Sequence, residues 1–128
     1  MAMARVLILE DSRTISNLFR AQLRAEPVEV VIAETAAEAR AFFERGEFDV
    51  IALDGIAPSE PGRGASLVGP ILAREFREKG HKKPLVAISN DPQAQQLTKQ
   101  AGCSHFCEKE RLHGLIQELL GLWPTTPA

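Results

Sequence analysis

Apolar residues along this chain fall into two recurring patterns: short unbroken runs, and longer stretches in which they return every three or four positions. The runs VLIL (6–9), VIAL (50–53) and LVAI (85–88) suit strands covered on both faces. With the flanking residues they predict strands at Arg5–Glu10, Val28–Ala33, Val50–Asp54, Leu85–Ser89 and Cys103–Glu108. Ile15, Leu18, Phe19 and Leu23 stand at helical spacing, as do Leu112, Leu115, Ile116 and Leu119. Local punctuation agrees: Thr35 followed by Glu38 is a capping-box pattern, and Gly46 is placed to end that helix. Asp91-Pro92 reads as a cap followed by proline at the first helical position, with Gly102 closing the segment. Five strands alternating with five helices define an α/β protein with a parallel sheet.

One connection departs from this economy. Residues 55–70, GIAPSEPGRGASLVGP, hold three prolines and four glycines, which disfavour a helix through the first half and leave a long loop. Glutamines 93, 95, 96 and 100 on the fourth helix read as a solvated polar face. Residues 1–123 are expected to form one domain, and residues 124–128 a disordered tail.

The totals narrow the function. Of 128 residues, 45% are hydrophobic and 25% charged, as in ordinary globular proteins, and the net charge of −2 calls for neither nucleic acid nor an anionic membrane. No apolar run approaches the roughly 20 residues of a membrane span, and no cleavage-site pattern follows the N-terminus, so the expected location is the cytoplasm. Cys103 and Cys107 are too few for a disulfide framework and are expected as reduced thiols.

Candidate chemistry lies at the carboxyl ends of the strands, where open α/β sheets bind ligands. Glu10 and Asp11 follow the first strand, Asp54 ends the third, Ser89 the fourth, and Glu108 with Lys109 the fifth. Two carboxylates about 4 Å apart repel by roughly 4 kcal/mol at an effective dielectric near 20, so a rim of three calls for a cation. All-oxygen ligands suit Mg²⁺. Metal, ammonium and the Ser89 hydroxyl together would cradle a phosphoryl group, with Asp54 as the nucleophile that accepts it. Each element has a plainer reading alone: an acidic pair begins many loops, Asp54-Gly55 is a turn signal, and Ser89-Asn90-Asp91 starts a helix.

Taken in order, the acidic pair Glu10-Asp11, Asp54, Ser89 and Lys109, with Pro58 four residues past Asp54, resemble the receiver domains of two-component response regulators over roughly residues 4–122. The resemblance implies a flavodoxin-like (βα)5 fold, a doubly wound parallel five-stranded sheet of order 2-1-3-4-5. It implies a phosphoacceptor switch that assists only its own phosphorylation and dephosphorylation, not an enzyme with a separate substrate. Asp54 would receive a phosphoryl group from a histidine kinase or phosphotransfer protein, with Mg²⁺ held by Asp11, Asp54 and the Ile56 carbonyl, and Glu10 acting through water. Lys109 and Ser89 would bind phosphoryl oxygens, and Ser89 would move together with Phe106, changing a surface on helix 4, strand 5 and helix 5. That surface would meet a downstream protein target or an output domain on a longer chain. Three positions depart from the family pattern: Glu110 follows Lys109 where proline is usual, the interval from Asp54 to Ser89 is a long 35 residues, and apolar Ile56 stands two residues past the acceptor.

Other chemistries fit less well. Cys103, His105 and Cys107 alternate on one strand, but the thiols would lie about 13 Å apart, against about 2.3 Å from sulfur to zinc, so they are assigned to packing. His81 and His113 have no partners at ligand spacing and are expected at the surface. PGRGAS lacks the lysine and spacing of a P-loop. Two carboxylates after the first strand would repel a flavin phosphate, and Ile56 replaces the second aspartate that a haloacid-dehalogenase-type phosphatase requires. The alternative is a pseudo-receiver, a protein-binding module of the same fold that signals without phosphate.

Overall fold

In the computed structural model, which describes residues 3–122, the main sheet contains five parallel strands: β1 (Ala4–Leu9), β2 (Val28–Ala33), β3 (Val50–Leu53), β6 (Leu85–Ile88) and β7 (His105–Cys107). A separate short hairpin contributes β4 (Ala57–Pro58) and β5 (Ala65–Ser66). The helices are α1 (Arg13–Leu23), α2 (Ala36–Arg45), α3 (Gly69–Glu78), α4 (Pro92–Gln100) and α5 (Leu112–Leu120), the last entered through a 3₁₀ turn at Lys109–Arg111. The sheet order is β2-β1-β3-β6-β7, the expected 2-1-3-4-5 once the hairpin is counted.

Alternation along the strands divides the core. Val6, Ile8, Val50, Ala52, Val86 and Ile88 point to one face and pack with Phe19 and Leu23 of α1 and Leu112 and Ile116 of α5. Leu7, Leu9, Ile51, Leu53 and Leu85 point to the other and meet Ala39 of α2 and Leu72 and Phe76 of α3. Phe43 stacks on Phe76 at 4.2 Å between ring centroids. Because both faces are covered, the central strands carry no polar side chain until they end.

Four strands stop one residue earlier than their sequence suggested, at Leu9, Leu53, Ile88 and Cys107. Glu10, Asp54, Ser89 and Glu108 therefore lie just beyond the ladders, where side chains turn toward the sheet rim. β7 also starts late, at His105, because Gly102 turns with φ 140° and the Ser104 hydroxyl engages Leu85 backbone groups.

The 55–70 connection contains no helix before Gly69, as expected, but it is not wholly irregular. Ala57 pairs with Ser66 and Pro58 with Ala65, and Gly62 turns between them at φ 85°. The hairpin is anchored where the Ala37 amide donates to the Ser59 carbonyl at 2.9 Å, which ties it to the start of α2. The predicted caps form: Thr35 Oγ1 accepts from the Glu38 amide, and Asp91 Oδ1 from the Gln93 and Ala94 amides. The Glu38 carboxylate reaches the Glu34 amide, one residue short of a full capping box.

Two expectations need correction. His81 and His113 are half-buried: His81 meets the edge of Phe43, and His113 Nε2 lies 3.3 Å from Glu26. Gln95 is not part of a solvated face, since its side chain turns inward. The proposed tail at residues 124–128 lies outside the described residues. Among those described, no helix is long and apolar enough to cross a membrane.

Candidate functional site

Three of the expected residues converge at the carboxyl edge of the sheet. Glu10 follows β1, which lies beside the central strand β3, and is wholly buried; Asp54 follows β3 and is 4% exposed. Asp11, one residue on, faces solvent. One carboxylate oxygen from each of Glu10, Asp11 and Asp54 lies within 4.8 Å of the other two.

Lys109 stands between the two buried acids. Its Nζ donates to Asp54 Oδ2 at 2.8 Å and lies 2.8 Å from Glu10 Oε1. The second contact is an ion pair at the same distance with poorer hydrogen-bond geometry, and the buried Glu10 Oε1 has no donor other than this ammonium. Glu110 in place of proline does not keep the ammonium away: Lys109 opens the 3₁₀ turn and still reaches both acids.

Backbone amides fix the remaining oxygens. Ser12 N–H donates to Glu10 Oε2 at 3.0 Å, and Ser12 Oγ caps α1 by accepting from Ile15. Ile56 N–H donates to Asp54 Oδ1 at 3.2 Å. Glycine is required beneath this loop: a Cβ on Gly55 would sit 2.8 Å from Ala94 Cβ, and one on Gly69 would sit 2.7 Å from the Asp54 carbonyl. Read from sequence, Gly55 signalled a turn; its role is to let α3 and α4 close on the Asp54 loop.

The electrostatics follow from burial. Removal from water raises the Glu10 pKa above the ordinary carboxylate value, although the Lys109 ammonium and the Ser12 amide work against that. Burial also works to lower the Lys109 pKa, but its contacts with Asp54 and Glu10 outweigh it and the net shift is upward. Three carboxylates against one ammonium leave a formal excess of negative charge open to solvent at Asp11. An all-oxygen set with that excess fits a hard divalent cation of the Mg²⁺ type.

Ser89 and Phe106 stand apart from the acids in their contacts. Ser89 is buried after β6, and its hydroxyl accepts from the Asp91 amide at 3.2 Å. It lines a cleft of about 570 Å³ with Asn90, Pro92, Gln95, Glu108, Glu110 and Arg111. Phe106 on β7 is 50% exposed, and Lys99 Nζ lies 4.2 Å from its ring centroid. Cys103 and Cys107 are free thiols held up at about 12 and about 11 by burial, consistent with packing rather than metal binding.

The sequence matches no protein-family model and no curated protein. Solved structures do match. The signal receiver domain of an HD domain-containing protein from Pseudomonas fluorescens superposes with a TM-score of 0.77 at 14% identity, covering 95% of this chain and 90% of that one. The receiver domain of a sensor histidine kinase from Pseudomonas aeruginosa, with a magnesium ion coordinated in its active-site cleft, gives 0.76 at 21% identity over 94% of this chain and 99% of that one. The signal receiver domain of a LuxO-type repressor protein from Vibrio parahaemolyticus gives 0.74 at 21% identity over 94% and 92%. The chain thus has the flavodoxin-like fold of response-regulator receiver domains, with an acidic cluster at the edge where such folds bind ligands.

Proposed function

We propose that this chain is a phosphorylation switch in which Asp54 accepts a phosphoryl group from a histidine kinase or phosphotransfer protein. One observation carries the reading: the Lys109 ammonium sits 2.8 Å from both Asp54 and Glu10, inside a cluster of three carboxylates. An Asp54 oxygen attacks phosphorus, the bond from phosphorus to the donor imidazole nitrogen breaks, and the imidazole leaves with a proton. Asp11, Asp54 and the Ile56 carbonyl would hold Mg²⁺, with Glu10 reaching it through water. When bound, the ion neutralises oxygen charge on the phosphoryl group.

This chain's own groups do the rest. The Ile56 amide fixes one Asp54 oxygen and thereby aims the carboxylate. Lys109 shifts from the carboxylate to a phosphoryl oxygen, and Ser89 offers its hydroxyl to another. That motion exchanges the Asp91 amide contact for one to phosphate and is passed to Phe106, whose exposed ring on β7 lies beneath Lys99 of α4. The changed surface would engage a downstream protein or an output domain. Such a switch belongs in the cytoplasm with its kinase.

Incubation with Mg²⁺ and acetyl phosphate, followed by intact mass measurement, tests the reading. A single phosphoryl increment is expected on the wild type and not on Asp54→Ala. No increment from acetyl phosphate or from a phosphorylated donor domain would instead favour a pseudo-receiver that binds partners without phosphate.

A further inference from the structure

Gln95 occupies a place in this site that its sequence context conceals. The β6–β7 ladder ends at the pair Ile88 and Cys107, so the Cys107 carbonyl belongs to its last pair and the Ser89 carbonyl lies just past it. Gln95 Nε2, half-buried on α4, donates to the Ser89 carbonyl at 3.3 Å and to the Cys107 carbonyl at 3.2 Å. A primary amide carries two protons, one for each carbonyl. The next strand-end residues are the ones that matter: Ser89 itself, and Lys109 two positions past Cys107.

The start of α4 completes a ring. Ser89 Oγ accepts from the Asp91 amide, Asp91 Oδ1 caps the helix by accepting from Gln93 and Ala94, and Gln95 returns to the Ser89 carbonyl. Ser89 is therefore held at both its hydroxyl and its carbonyl by the first turn of α4. Lys99, four residues after Gln95 and so on the same helical face, covers Phe106 on the same strand that Gln95 grips.

We infer that Gln95 is a positioning residue for phosphoryl acceptance: it sets the distance between the Ser89 loop and the Lys109 loop, so that hydroxyl and ammonium converge on one phosphoryl group. The inference rests on the proposed chemistry at Asp54. It assigns Gln95 no contact with substrate or metal.

The test compares the 128-residue wild type, Gln95→Met, Gln95→Lys and Gln93→Met for acetyl phosphate uptake under saturating Mg²⁺. Methionine keeps side-chain length and helix propensity but donates nothing; lysine restores donors to the position; Gln93 is exposed and serves as the control. Gln95→Met is expected to lower the maximal rate about tenfold, within the roughly hundredfold that a misplacement near 1 Å can cost. Half-saturating Mg²⁺ and thermal midpoint should stay at the wild-type values, Gln95→Lys should recover most of the rate, and Gln93→Met should lose none. Amide NMR shifts of the unphosphorylated Gln95→Met protein should move in both the 89–91 and 107–110 segments. A wild-type rate in Gln95→Met, or a loss matched by weaker Mg²⁺ binding and a lower midpoint, overturns the inference. Failure of the wild type itself to take up phosphate, from acetyl phosphate and from a phosphorylated donor domain alike, overturns the proposed function, and the wild-type arm alone reports it.

Discussion

Lys109 Nζ lies 2.8 Å from Glu10 Oε1, and the glutamate it meets has no solvent exposure at all. A charge buried that completely is stable only while a counter-charge stays with it. Lys109 is thus a structural ion whatever its part in the proposed chemistry, and its proposed movement toward phosphate must be compensated by whatever cation enters beside Glu10 and Asp54.

Removing the ammonium should expose this dependence. Lys109→Met leaves two adjacent buried carboxylates facing each other, and its urea unfolding free energy at neutral pH is expected to fall by about 2–3 kcal/mol, below the full cost of breaking a fully buried pair. Added Mg²⁺ should restore part of that loss. A variant as stable as wild type without Mg²⁺ would show that the pair carries no structural charge balance.

Acid titration separates Glu10 from the rest. Burial raises its carboxyl above 4.5, so the folded state holds the proton more tightly than the unfolded chain. Its contribution to stability is fully present below 4.5 and is lost as pH rises through the folded value. Lys109, raised from 10.5, keeps its support until well into the alkaline range. Urea midpoints of wild type minus Glu10→Gln should therefore decline between pH 4.5 and neutrality. His81, lowered from 6.5 by burial, acts in the opposite sense but cancels in the difference because both proteins carry it. A difference independent of pH would mean that Glu10 is not destabilised by burial.

Two glycines should respond with opposite signs to the same substitution. A Cβ on Gly69 would fall 2.6 Å from Gly55 Cα and 2.7 Å from the Asp54 carbonyl, both backbone atoms, whereas one on Gly114 in α5 meets nothing within 4 Å. Gly69→Ala is expected to destabilise by about 1–3 kcal/mol and to slow phosphoryl uptake by displacing the Asp54 loop. Gly114→Ala should stabilise by about 0.5–1 kcal/mol by removing backbone freedom from the unfolded chain. Thermal unfolding of both variants decides the matter.

How much of this could be read in advance follows from what leaves a trace in sequence. Strand ends were legible because a strand covered on both faces stays apolar until it leaves the sheet, and so Glu10, Asp54 and Ser89 marked the rim. Their strands were read one residue too long, since the apolar pattern cannot distinguish the last ladder pair from the residue after it. The hairpin at 57–66 was not legible, because strands of two residues have no period. Gln95 was hidden for a different reason: its partners are backbone carbonyls, identical for every residue type, so a glutamine on a helix surface looked solvated. His113 was misjudged because Glu26, its partner, is 87 residues away.

The divalent-ion reading has the sharpest consequence, because Asp11 is the exposed member of the acidic cluster and can be altered without opening the core. An ion bound only by the folded state stabilises by mass action, about 2.7 kcal/mol when its concentration is 100-fold above the dissociation constant. Wild-type protein should accordingly gain unfolding free energy with Mg²⁺ and return to its starting value on chelation with EDTA. Asp11→Asn should cost little in the absence of the ion, since it removes a charge that faces solvent, yet abolish most of the gain. Asp54→Asn should also lose the gain, but with the Lys109 contact weakened as well, so its baseline should drop. If Asp11→Asn kept the whole Mg²⁺ response, the ion would be binding elsewhere on the surface, and the three carboxylates would be balanced by Lys109 alone.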